Sequence, residues 1–214
     1  MCVTKSSSGQ SRKPPKIGLW GICHFFLGIA TIWCPCRSPS IGSQPQDAPT
    51  FRVIADEEVY RFVPADNGAG PLWCRGSTCL VRWQDRVFAS GLETLADTKP
   101  LNNCRWLLFE RTKDSWTLVA DGKQDRTREP CPLVVFRRGQ LWLSDNPTLV
   151  QDPNAYAGPA RPTLCLWDLS GSMPNPTPVI PEWKGSPRFT EHSYRSFAAD
   201  GKHSELILFQ NVDY

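Results

Sequence analysis

A pattern of strand, tight turn and second strand occurs three times along the chain, in residues 79–91, 132–145 and 194–211. The turns fall at Gln84-Asp85, at Arg138-Gly139 and at Asp200-Gly201-Lys202. Aspartate and glycine at such positions supply the local hydrogen bonds and the positive φ that hairpins require. The pattern therefore predicts three antiparallel hairpins.

Two further apolar strands follow each of the first two hairpins, so that each repeat becomes a four-stranded antiparallel meander. The second strands begin near Val87, Leu141 and Leu206, at intervals of 54 and 65 residues. A four-stranded meander that repeats at this period is typical of a β-propeller blade, and the rival architecture is a β-sandwich. Runs such as Leu141-Trp142-Leu143 favour blades, because both faces of each blade are buried.

Counted in blades, residues 51–214 predict an all-β fold with only about two and a half to three blades, an incomplete ring. We therefore expect a fragment of a longer propeller or a truncated product, with assembly from several chains as the alternative. Residues 51–63 are expected to supply an outer strand that would close the ring against a missing blade.

The charge of the chain is concentrated at its N-terminus. The net charge is +3 overall, yet residues 1–50 carry five basic side chains against Asp47 alone. An uncharged apolar run, 17–33, follows Lys16. A basic stretch before a short apolar run predicts a signal peptide over residues 1–34, cut after Ala30 or Gly42, with a membrane anchor as the alternative. Residues 35–50, rich in proline and serine, predict a flexible linker.

The expected location is therefore secreted or periplasmic, or anchored to a membrane by residues 17–33. The remaining body is slightly acidic, which argues against a nucleic-acid partner. Its cysteines are odd in number, and only Cys74 and Cys79 are spaced for a local bridge in an oxidising compartment. No spacing matches a zinc site and no phosphate-binding loop is present, so neither a metal nor a cofactor is expected.

Polar side chains precede the first strand of each repeat, and a ring of blades would bring these loops to one mouth. Arginine suits an anionic or sugar ligand, and carboxylates or a histidine suit general acid–base chemistry. The alternative is that these groups hydrogen-bond one blade to the next. The predicted ligand-binding residues are Arg75, Thr78, Arg128, Thr190, Tyr194 and Arg195, and the predicted catalytic residues are Glu129, Glu191 and His192.

Several segments (70–79, 87–94, 100–106, 127–131 and 189–195) together resemble uncharacterised secreted bacterial propellers of the sialidase-like superfamily, also called BNR or Asp-box proteins. Residues 60–64, Tyr-Arg-Phe-Val-Pro, approximate the early arginine motif of that group, and residues 196–202 a degenerate Asp box. The resemblance implies a propeller that binds a glycan or another extracellular ligand at its mouth. A sialidase-like glycoside hydrolase and a scaffold for protein partners are the alternatives.

Overall fold

A computed structural model describes residues 52–73, 77–173 and 175–212 of the chain. These residues form ten strands and no helix. The strands are β1 (Leu80–Trp83), β2 (Arg86–Thr94), β3 (Cys104–Arg111), β4 (Trp116–Asp121), β5 (Leu133–Val135), β6 (Gln140–Asp145), β7 (Thr163–Asp168), β8 (Thr177–Val179), β9 (Arg195–Asp200) and β10 (Glu205–Gln210). The predicted signal or anchor segment and the linker lie outside the described residues.

The strands form three antiparallel sheets, in the orders β1-β2-β3-β4, β5-β6-β7-β8 and β9-β10. Each four-stranded sheet is a simple meander, and a bulge between Leu108 and Phe109 shifts the register of β3 against β4. The predicted all-β class and the four-stranded antiparallel sheets are confirmed. Across the residues that can be described, the sheets form no closed ring.

The second sheet is buried on both faces. Leu133 of β5 packs in a cluster with Phe88 and Trp106 of the first sheet, whereas the next residue, Val134, packs with Phe197 of β9. Trp106 of β3 meets Trp167 of β7 edge-on, with ring centroids 5.9 Å apart. Burial on both faces is why the strands of this sheet carry continuous apolar runs rather than alternating ones.

The hairpin turns occur where predicted, but the residues with positive φ differ in two of them. Gly139 has φ +86° as expected, whereas Gln84 rather than Asp85 takes φ +53° in the first turn. The third turn is longer than predicted and places Ser204 at φ +59°. Asp200 accepts a hydrogen bond from the backbone N of Lys202 (2.8 Å) and so holds this longer turn.

The first strands of the three sheets lie in sequence, β1 against β5 and β5 against β9. The backbone N of Leu133 donates to the carbonyl of Thr78 (2.7 Å), and the hydroxyl of Ser77 donates to the carbonyl of Arg195 (2.7 Å). The loop before β1 therefore contacts the first residues of β5 and β9.

Residues 52–63 form no strand, contrary to the expectation of an outer strand. Tyr60 instead stacks on Phe109 with ring centroids 5.1 Å apart, and its hydroxyl accepts a hydrogen bond from the backbone N of Leu92 (3.1 Å). A Cβ at Gly91 would lie 2.6 Å from the Tyr60 ring, so this close approach requires glycine there. Tyr60 thus packs on the first sheet through its side chain.

None of the residues that the structure describes lies in a helix long and apolar enough to span a bilayer.

Candidate functional site

The predicted site is built where the loop before β5 meets the loop before β9. Arg195, the first residue of β9, donates from Nη2 to the carbonyls of Glu129 (3.0 Å) and Pro130 (3.1 Å). The amide of Asn146, just after β6, donates to the carbonyl of Thr190 (2.8 Å). Side chains at strand ends therefore hold the two loops together through backbone carbonyls.

Glu129 lies at the centre of this contact and is fully buried. Its Oε1 accepts a hydrogen bond from Nη1 of Arg128 (3.0 Å). Its Oε2 accepts two more from Ser193, from the backbone N (3.2 Å) and from the hydroxyl (3.0 Å). Both carboxylate oxygens are thus satisfied by protein donors, as a buried charge requires.

Arg128 is also buried, and its guanidinium is directed at the protein. Nε and Nη2 both donate to the carbonyl of Asn67, at 2.9 and 2.7 Å. Asn67 in turn donates to Asn103 Oδ1 (3.0 Å), and Asn103 donates to the carbonyl of Ala65 (2.6 Å). The segment around Asn67 therefore covers Arg128 and anchors it to the first sheet.

His192 and Glu191 lie at the border of this cluster. A ring nitrogen of His192 contacts Nη1 of Arg128, and the side chain of His192 keeps 20% of its surface exposed. Glu191 is buried and accepts a hydrogen bond from the backbone N of Gly158 (3.0 Å). Its other oxygen lies 3.8 Å from Nε2 of His192. Of the three predicted catalytic residues, His192 is the one with substantial access to solvent.

A second carboxylate, that of Asp145, lies beneath this cluster. Its Oδ2 accepts a hydrogen bond from the indole of Trp106 (3.1 Å), and its Oδ1 from the backbone N of Asn146 (2.7 Å). Complete burial raises the pKa of Asp145, and the nearby positive charge of Arg195 opposes this rise. The Nε and Nη1 atoms of Arg195 are buried and have no hydrogen-bond partner among the residues described.

An aromatic pair beside these loops combines an exposed indole with a half-buried phenol ring. Trp73 is 45% exposed, and its ring centroid lies 6.5 Å from that of Tyr194, at an interplanar angle of 40°. Thr78, before β1, is exposed, and Tyr194 is half-buried. A partly exposed indole and phenol near hydroxyl groups offer an apolar face with polar atoms around it.

The structure therefore brings most of the predicted residues together, but it buries several of them. Four of them are buried, namely Arg128, Glu129, Glu191 and Arg195. Three are half-buried, namely Thr190, His192 and Tyr194. Thr78 is exposed, and Arg75 lies outside the described residues.

Sequence reasoning missed Asn67 and Asp145 as members of the network. Asp145 is the last residue of the buried strand β6, so a carboxylate in a strand with the apolar run Leu141-Trp142-Leu143 was an available signal. Asn67 carries no comparable signal, because it belongs to an irregular segment that reaches Arg128 only in the folded chain.

No group of three histidine, cysteine or carboxylate side chains within the described ranges is arranged to hold a metal ion. Burial raises the pKa of the Cys104 thiol to about 11, which makes this cysteine a poor nucleophile at neutral pH.

Comparison of the chain with protein-family models, with curated proteins and with solved structures gives no match.

Proposed function

We propose that this chain is a glycan-binding module of the β-propeller type, exported by its N-terminal segment. The propeller part of the proposal is supported by two four-stranded meanders and by first strands that lie in sequence, β1 against β5 and β5 against β9. Blades around an axis bring their first strands together in this way. The export part rests on the basic and apolar pattern of residues 1–34.

The observation that carries the binding proposal is the exposed indole of Trp73, which lies beside the half-buried ring of Tyr194. Sugar rings present apolar C–H faces that pack on aromatic rings, while their hydroxyls need polar partners nearby. Thr78 and Thr190 come from the same loops as the aromatic pair and can supply such partners. Binding sites commonly combine an apolar surface with a few polar groups in this manner.

A sialidase-like hydrolase is the rival function, and the geometry favours it less. Glu129 is fully buried with both oxygens engaged, and Glu191 is buried against Gly158. A general acid or base must reach the reacting atom, so either carboxylate would have to leave its present partners. A panel of fluorogenic glycosides tests this rival, and turnover that depends on Glu129 or Glu191 would establish it.

The binding proposal is tested with a glycan array, followed by calorimetry on the glycans that bind. Trp73→Ala is expected to weaken binding by about tenfold or more, because it removes the stacking surface. Tyr156→Ala is the matched control, since Tyr156 is 56% exposed and lies on a separate loop beside Lys99. The proposal is wrong if no glycan binds, or if Trp73→Ala weakens binding no more than the control Tyr156→Ala does.

A further inference from the structure

The outer strand β10 belongs to a sheet that has fewer described strands than the other two. Among the described residues β10 pairs only with β9, from Glu205 opposite Asp200 to Gln210 opposite Arg195. In the other sheets the equivalent strands, β2 and β6, each have a third strand on their outer side. The outer side of β10 is therefore a candidate surface for a further strand.

The hydrogen-bond pattern identifies the backbone groups on this outer side. The backbone N of Asn211 donates to the carbonyl of Tyr194, so residues 205, 207, 209 and 211 direct their N–H and C=O groups towards β9. Leu206, Leu208 and Gln210 alternate with them and direct theirs outward. Such a row of N–H and C=O groups is a template for strand pairing.

The side chains of β10 strengthen this inference. Leu206 and Leu208 pack towards the core, whereas Ile207 is 62% and Phe209 52% exposed on the opposite face. Glu205 is the only charged residue of the strand. A strand with four consecutive apolar residues and no lysine, proline or bulge lacks the usual protection of a sheet edge.

The outer strands of the other sheets do carry such protection. β8 is three residues long and contains Pro178, which has no N–H to offer another strand. β4 carries a bulge, because the consecutive residues Leu108 and Phe109 of β3 pair with Ala120 and Leu118, and a bulge of this kind protects an edge from further pairing. Among the outer strands that the structure describes, β10 is therefore the one without such protection.

We propose that a second copy of this chain covers β10, by antiparallel pairing of the two β10 strands about a twofold axis at Leu208. Leu208 then lies opposite Leu208 of the second copy, and Ile207 lies opposite Phe209. The residues that point their backbone groups outward face one another in this register, which gives about six hydrogen bonds. The two-stranded sheets join into one sheet of four strands, as many as each of the other sheets has.

Charge and symmetry favour a second copy as the occupant. In this register Glu205 lies opposite Asn211 of the second copy, so that no like charges meet across the new edge. Ile207 of each copy lies opposite Phe209 of the other, so this apolar pair forms twice in the dimer. A twofold contact also closes on itself, so it produces a dimer and not a fibre.

The first test measures the mass of the full chain by light scattering after size exclusion, over a wide range of protein concentration. The mass is expected to rise from that of one chain to that of two. Ile207→Lys is expected to raise the dissociation constant by about tenfold or more, because each substitution counts twice in the dimer. Leu118→Lys is the matched control, since Leu118 is a 48% exposed apolar residue on the outer strand β4.

A monomer at every concentration overturns the proposal, and is also the result expected if residues 1–51 of the same chain cover β10. Species larger than a dimer overturn it as well, because the twofold contact is closed. If Ile207→Lys weakens the dimer no more than Leu118→Lys does, the interface does not include β10 and the proposal is overturned.

The second test checks the register and does not need the lysine variant to fold. Residues 207 and 209 of opposite copies are directly facing, with Cα atoms about 4.5 Å apart, which a disulfide can bridge. Mixed Ile207→Cys and Phe209→Cys chains are therefore expected to form a cross-linked heterodimer under mild oxidation. Two Ile207→Cys chains alone are not, because their Cα atoms would be about 8 Å apart. Cross-linking of Ile207→Cys to itself, or none in the mixture, overturns this register.

Discussion

Replacement of Glu129 by alanine is expected to lower the free energy of unfolding by about 3–5 kcal/mol. Glu129 is fully buried and accepts three hydrogen bonds, one from Arg128 and two from Ser193. The substitution removes a buried negative charge and leaves the positive charge of Arg128 in place. A buried ion pair that loses one partner costs this much because the remaining charge is uncompensated.

The size of the effect follows from what each donor retains. Arg128 keeps its two hydrogen bonds to the carbonyl of Asn67, which limits its loss. The backbone N of Ser193 is buried and loses the partner that it has in the wild type, at about 1–3 kcal/mol. Glu129→Gln keeps an acceptor for one donor and has no charge, so an intermediate loss of about 1–3 kcal/mol is expected.

Urea denaturation followed by tryptophan fluorescence measures both variants, with Glu182→Ala as an exposed control. The control should lie within about 0.5 kcal/mol of the wild type. A double-mutant cycle with Ser193→Ala should give a coupling energy of about 0.5–3 kcal/mol, because the two side chains share hydrogen bonds. The reasoning is refuted if Glu129→Ala unfolds within 1 kcal/mol of the wild type on this same scale.

Two further predictions concern a turn and a buried carboxylate. Gly139→Ala should lower the free energy of unfolding, measured in urea, by more than about 1 kcal/mol. The reason is that Gly139 has φ +86° and that a Cβ there would lie 2.8 Å from the Trp83 ring. Gly171→Ala, with open space around the added Cβ, should not lower it and is the control. Asp145 has a raised pKa in the folded state, so the folded protein binds a proton there more tightly than the unfolded chain does. This proton binding stabilises the fold at acid pH. The stabilisation is lost as pH rises from about 3.9, the pKa in the unfolded chain, through the folded pKa. The unfolding free energy of the wild type should therefore decline relative to that of Asp145→Asn as pH rises above about 4, and a constant difference would contradict this.

Strand positions were predictable because apolar side chains and turn residues act locally. The hairpins predicted over residues 79–91, 132–145 and 194–211 contain the observed pairs β1 and β2, β5 and β6, and β9 and β10, although β2 continues three residues past the predicted end, to Thr94. The turn at Gly139 was predictable for the same reason, since a positive φ favours glycine. Local signals of this kind are complete within a few residues of sequence.

The position of residues 52–63 was not predictable, because their apolar and aromatic pattern fits a strand as well as an irregular segment. Tyr60 fixes the position of this segment, because its ring stacks on Phe109 and its hydroxyl accepts a hydrogen bond from the backbone N of Leu92. Both partners are distant from Tyr60 in sequence. The close approach also depends on Gly91, whose missing side chain gives no strand signal of its own.

For the candidate site, the sequence identified which loops would meet but not which side chains would remain accessible. Arg128 and Thr78 were equal candidates as polar residues before a strand, yet Arg128 is buried and Thr78 is exposed. The difference arises from Asn67, whose carbonyl covers Arg128 from a segment about 60 residues away in sequence. Burial of this kind is a property of the assembled sheets.

Burial also decides where a ligand can bind at least cost. An anion that took Arg128 would have to displace Asn67 or Glu129, and Glu129 would then be a buried charge without its partner. A sugar that packs on Trp73 displaces only solvent from a surface that is already exposed. Different side chains of the same loops therefore have different roles. Their arginine and carboxylate groups join the second and third sheets, and the exposed indole of Trp73 is the surface that the proposed glycan would contact.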